Sequence, residues 1–285
     1  MTSTQTAKYP ARDIPVRRLD PFPTEGLDRH FVGGDPLMSH AVAVLSAMFP
    51  SGEEFFVHSV RNYRDQVTDP ELRQQANRFV GQESMHGRLH RDLNRHLAQL
   101  GFMSDLVDRS VDIGFNRFSA KLLPRSLQLA ITAALEHYTA TLAEVLLDDP
   151  RAQELFDHEG VRNLLLWHAL EESEHKAVAF DVYNEVSGNT LLRRAAMDVM
   201  TGVFLGGLAI GTVFSAVSTS SLRDIPSLLG SLVRLPRSPF LSSAVLRRLR
   251  RYNHRDFHPN FYDATALLEH WQAELFGPEG TLTKR

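Results

Sequence analysis

The short pattern Glu-x-x-His occurs twice in this chain, at Glu83-Ser-Met-His86 and at Glu172-Ser-Glu-His175. Residues three apart share one face of a helix, so each pattern sets a carboxylate beside an imidazole. Two such turns facing one another need long helices packed around a common interior. None of the 285 residues is a cysteine, which excludes a disulfide scaffold, a thiolate zinc site, a cysteine-ligated iron–sulfur cluster and a cysteine nucleophile. A metal here must be held by His, Asp and Glu, and there are 13 histidines. The net charge of -3 argues against a nucleic-acid partner, which needs a basic excess.

The surrounding pattern is helical. Leu37 to Phe49 is a mostly apolar run, and Pro50-Ser51-Gly52 reads as an interruption, with Ser51 and Glu54 at capping-box spacing opening a fresh helix to about Tyr63. Thr68 and Glu71 repeat that spacing, Pro70 fits a first turn, and Gly101 reads as the stop after Leu100. A third helix is expected from Pro124 to Asp149-Pro150. A fourth is expected from Glu159 or Val161 to Ser187-Gly188-Asn189. With no strand–turn–strand signature, the expected fold is all-α, a four-helix bundle with additional C-terminal helices.

Each remaining bundle helix can add one inward acid. Glu53 falls on the apolar face with Phe49, Phe56 and Val60, and Glu54 already has the capping role. Glu136 continues the stripe of Leu129 and Ala133. Leu165, His168, Glu172, His175 and Ala179 follow at spacings of three or four, Glu171 fits a face with His168, and Glu174 points elsewhere, towards solvent. The order Glu, Glu-x-x-His, Glu, Glu-x-x-His is that of a ferritin-like carboxylate-bridged two-metal site.

Three stretches, FPSGEEFFVHSVRNY, FVGQESMHGRLHRDLN and WHALEESEHKAVAFDVY, resemble the family described as predicted metal-dependent hydrolases, over roughly residues 35–190 with a weaker similarity beyond. The run His168-x-x-x-Glu172-x-x-His175 also resembles the arylamine N-oxygenase branch of ferritin-like di-iron proteins, in which the extra histidine binds iron. The resemblance implies Glu53, Glu83, His86, Glu136, His168, Glu172 and His175 as metal ligands.

Four carboxylates balance two divalent cations, so the expected cofactor is a pair of iron ions, with manganese or zinc accepting the same donors. The expected activity is that of an oxidoreductase, an oxygenase that takes dioxygen, a small hydrophobic organic substrate and an external electron donor. The alternative is a two-metal hydrolase; metal storage or a membrane-associated binding role is a third reading. Beside the ligands, His90 is expected to orient one of them through a hydrogen bond, and Asp181 is a candidate brace for an imidazole. Phe55, Phe56, Phe79, Trp167 and Phe180 read as core before pocket, and Tyr138 and Tyr183 as hydrogen-bonded interior residues.

Residues 1–35 read as an extended arm without the apolar core of a secretory signal, residues 36–190 as the metal-binding bundle, and residues 191–285 as an apolar helix with a helical extension. No charge occurs in VMTGVFLGGLAIGTVFSAVSTSSL, residues 199–222. This segment suits either a fifth helix buried on the bundle or contact with a membrane. In the latter case, arginines at both ends, Arg193-Arg194 and Arg223, favour a re-entrant or interfacial arrangement over one crossing, and the cluster from Arg247 to Arg251 can rest on anionic headgroups. A further helix is expected around Ala264–Leu275. The expected compartment is the cytoplasm, with peripheral attachment to the inner face of the membrane if that segment enters it, and a homodimer is the working expectation for assembly.

Overall fold

Asp35 opens the first helix by accepting a hydrogen bond from the Met38 backbone N–H at 3.0 Å, with Pro36 in the first turn. That helix, α1 (Pro36–Arg61), runs through Pro50 without a break, contrary to the two separate helices expected there. Proline removes one helical N–H, but packing on both sides holds the helix together, and Ser51 donates to Asp108 at 2.6 Å instead of capping a new helix. The computed structural model describes residues 12–283. The first eleven residues of the expected arm lie outside the described residues.

Helix α2 (Pro70–Gln99) is capped by Asp69, which accepts from Glu71 and Leu72, whereas Thr68, the expected cap, bonds Glu185. Gly101, with φ of 93°, follows its end. A short stretch comprising α3 (Ser104–Asp112), a π-helical segment (Ile113–Ser119) and α4 (Ala120–Leu122) leads to α5 (Arg125–Asp148) and the single turn α6 (Pro150–Gln153). The fourth bundle helix is two helices, α7 (Glu159–His175) and α8 (Val178–Val186). Between them the buried Lys176 turns in to Glu144 at 2.7 Å and the Tyr262 carbonyl at 2.8 Å, a long-range attachment with no local sequence signal. The described residues contain helices, turns and irregular segments and no strand, so the fold is all-α.

Helices α1, α2, α5 and α7–α8 pack around one interior. One half of the core gathers Phe55, Phe56, Phe79, Leu129 and Phe180, and the other Leu89, Leu93, Leu164, Trp167 and Leu170. The arm from residue 12 to 35 has no regular structure, yet it buries Ile14, Leu19, Phe22 and Val32 against the bundle.

Helix α9 (Thr190–Thr219) packs on α1 and α5 through Ala196, Met197, Met200 and Phe204. At Gly211 it approaches so closely that a Cβ there would stand 2.9 Å from Val44. Only 28% of its apolar window is buried, and Val203, Ile210, Val213 and Val217 face outward, so the helix is neither fully interior nor free. By length and composition alone it is the one described helix that could cross a membrane. The arginines read as flanking charges are partly internal: Arg193 is buried with its Nη2 2.8 Å from the His254 carbonyl, Arg248 pairs with Glu144, and Arg251 lies over the Phe261 ring. The chain continues through α10 (Ile225–Arg234) and α11 (Ser243–Arg251) to α12 (Thr265–Phe276), within a residue of the helix expected at the end.

Candidate metal centre

Helical register alone turns Glu53 of α1, Glu83 and His86 of α2, Glu136 of α5, and His168, Glu172 and His175 of α7 into the same interior. All seven are buried, none more than 4% exposed. Their donor atoms form three overlapping groups, each within 4.8 Å: Glu53, His86 and His168; Glu83, Glu136 and His175; and Glu83, His86 and Glu172. Glu172 is central, with Oε1 lying 3.1 Å from His168 Nε2 and 3.5 Å from both His86 Nδ1 and His175 Nε2.

Buried carboxylates normally find donors. Here both oxygens of Glu53, Glu83 and Glu136, the Oε2 of Glu172, the Nδ1 of His86 and the Nε2 of His175 make no hydrogen bond. His175 Nε2 comes within 3.0 Å of Glu83 and 3.3 Å of Glu136, yet without the angles of a hydrogen bond. The lone pairs converge on the space between the side chains, as metal donors do. On that observation the seven residues fit a pair of divalent cations.

The electrostatics agree. Burial and the neighbouring Glu83 push Glu53 well above the usual carboxylate range, and burial with Glu172 and Glu83 pushes Glu136 up to about 8. Burial opposes the charged form of Glu172 as well, but the facing His175 imidazole holds it well below the usual range. Burial works against the imidazolium at His86, yet Glu171 and Glu172 raise it to about 10; His175 is likewise raised by Glu172, Glu136 and Glu83 against burial. Without cations the chamber therefore holds several protons that cations would displace.

The outer nitrogens are also fixed. His86 Nε2 donates to Glu171 at 3.1 Å, and Arg17 from the arm reaches Glu171 at 2.9 Å and Glu174 at 2.7 Å. His175 Nδ1 donates to the Gln82 Oε1 at 2.8 Å, and the Gln82 amide N–H groups go to the Pro15 carbonyl and to Glu174, each at 3.0 Å. Glu174 is thus 3% exposed and bound by Arg17, Gln82 and Gln272, not directed to solvent as its helical register suggested. Each candidate imidazole also lies against an aromatic ring: His86 on Trp167, His175 on Phe79, His168 on Phe49.

Sequence reasoning missed Arg17, Gln82 and the part played by Glu171. Glu171 and Gln82 each directly precede a motif glutamate, the one available local signal; Arg17 has none. Asp181 does brace an imidazole, but that of His258, 2.9 Å away and outside the chamber. Tyr138 donates to Thr201 and Tyr183 to the Asn189 carbonyl, both at 2.7 Å. Phe55, Phe56, Phe79, Trp167 and Phe180 are all core side chains.

A family model described as predicted metal-dependent hydrolase matches residues 15–263, reaching well past the stretch that carried the resemblance on both sides. The search of curated proteins and the search of solved structures give no match. The chain belongs to that predicted metal-dependent hydrolase family.

Proposed function

Starting from that membership, we propose that the chain is an enzyme working through two divalent cations. Glu53, His86 and His168 would hold one, Glu83, Glu136 and His175 the other, and Glu172, grouped with Glu83 and His86, would complete the donor set. The observation that carries this reading is the set of buried, unpartnered oxygens and nitrogens turned into one space.

The finer reading is a ferritin-like di-iron oxygenase. Four carboxylates neutralise two ferrous ions, and carboxylate-rich donor sets suit a metal that changes charge during turnover. Bound iron would supply the electrons that reduce dioxygen for the oxidation of a small hydrophobic substrate, with an external donor restoring them. The chain's own contribution is to hold the donors rigidly. Arg17 fixes Glu171 and Glu174, these with Gln82 orient two imidazoles, and Trp167, Phe79 and Phe49 exclude water beside the rings.

The family description favours a second reading, hydrolysis, in which two cations activate water against an ester, amide or phosphate. One experiment separates them. Protein purified without oxygen is assayed for metal content, and then oxygen uptake is followed on admitting air. Two irons per chain and rapid uptake support the oxygenase. Anaerobic hydrolysis with zinc or manganese, and no uptake with iron, overturns it in favour of the hydrolase.

A further inference from the structure

Pro50 has no N–H, so the carbonyl of Ser46, one helical turn earlier in α1, lacks its usual donor. Asn94 of α2 supplies one, its Nδ2 lying 3.0 Å from that carbonyl. A carbonyl only accepts, so this contact orients the whole amide. The amide Oδ1 must then face the Ser46 hydroxyl, 2.7 Å away, and the hydroxyl must donate to it. Having given its one proton, Ser46 Oγ can only accept from His90 Nδ1, at 2.8 Å. As a neutral imidazole, which burial favours, His90 then carries its proton on Nδ1 and leaves Nε2 bare. That bare Nε2 lies 2.7 Å from His168 Nδ1, which must be the donor.

His168 is left with an unprotonated Nε2 inside the chamber, 3.1 Å from Glu172 Oε1 and 3.7 Å from Glu53 Oε1. A lone pair facing two carboxylate oxygens is repulsive unless a carboxyl proton or a cation lies between them. Ser46, His90, Asn94 and His168 are all buried, at most 6% exposed.

We propose that Asn94, Ser46 and His90 are positioning residues that lock His168 in the Nδ1–H tautomer, so that its Nε2 serves as a cation donor, with Pro50 anchoring the far end of the relay. The proposal rests on the two-cation reading for what Nε2 faces, but the tautomer itself does not depend on it.

The first test uses metal-free full-length protein with isotope-labelled histidine and a two-bond proton–nitrogen correlation spectrum, assigned with single-histidine variants. The expected result is Nδ1–H at both His90 and His168 near neutral pH. In Asn94→Leu, which frees the Ser46 hydroxyl, a second tautomer should appear at His168. A proton on Nε2 of His168 in the unsubstituted chain overturns the proposal.

The second test titrates cobalt(II) by calorimetry. His90→Leu should weaken one of two sites about 10- to 100-fold, whereas His90→Gln, which keeps an acceptor within reach of His168, should stay within about threefold. Equal losses in the two variants, or none in His90→Leu, overturn the positioning role. No cobalt binding by the unsubstituted chain overturns the two-cation reading, and the spectrum then decides the tautomer lock alone.

Discussion

The Nε2 of His86 lies 3.1 Å from Glu171, so the nitrogen turned towards the other donors is Nδ1. Glu171 is in turn held by Arg17, 154 residues earlier in the chain. Arg17→Met should leave two buried carboxylates without their cation and cost about 3 kcal/mol, the usual scale for breaking a buried pair from one side. Urea unfolding measures the loss. Glu171→Ala should weaken metal binding about 10- to 100-fold through His86 alone. Unchanged cobalt affinity in that variant would show that Glu171 does not orient the ring.

Cation loading should release protons. Glu136 at about 8 and His86 at about 10 hold protons at pH 7 in the cation-free chamber, and both must lose them to become donors. Affinity should therefore rise with pH between 6 and 8, by about tenfold per unit for each proton displaced. Calorimetry in buffers of different ionisation enthalpy counts the protons. Loading should also raise the melting temperature, and chelation should lower it again.

A second pH effect arises away from the chamber. Burial holds the His137 imidazole down to about 4, its Nε2–H donating to the Arg248 carbonyl at 3.1 Å. The unfolded chain binds a proton there near 6.5. Between those values the unfolded state carries more protons, so this contribution is complete above pH 6.5 and is lost as pH falls towards 4. The full span is worth about 3 kcal/mol at most. In His137→Gln the slope of stability against pH in that window should flatten; an unchanged slope would remove His137 as its source.

Gly160, in the first turn of α7, leaves no room for a side chain, because a Cβ would collide with the Pro23 carbonyl of the arm. Backbone cannot yield as a flexible side chain does. Gly160→Ala should lower stability by about 1–3 kcal/mol and loosen the arm. Thermal unfolding with limited proteolysis near Pro23 reports both, and a variant as stable and as resistant as the parent would mean that the arm is not seated there.

What was legible in the chain was whatever helical periodicity controls. The spacing of Glu83 with His86 and of Glu172 with His175 placed each pair on one face, and the stripes through Glu53 and Glu136 turned those acids inward. Whatever depends on contacts between distant segments was hidden. Pro50 looked like a break because a proline in isolation disfavours helix, and only Asn94 of the neighbouring helix shows how the freed carbonyl is satisfied. Glu174 looked like a solvent residue because its partners, Arg17, Gln82 and Gln272, come from three separate segments. The break at Lys176 follows from Glu144 and Tyr262, neither of which marks the local sequence.

The carboxylate of Glu174 joins Arg17 to Gln272, so the earliest and latest described segments meet beside the motif of α7. Contacts of such sequence separation carry a large loop-closure cost and slow folding. On the ribosome, a growing chain whose Gln272 has not yet emerged has all four acids and all three imidazoles but not their complete outer support. The outer support of the chamber is therefore complete only once α12 has docked on α7.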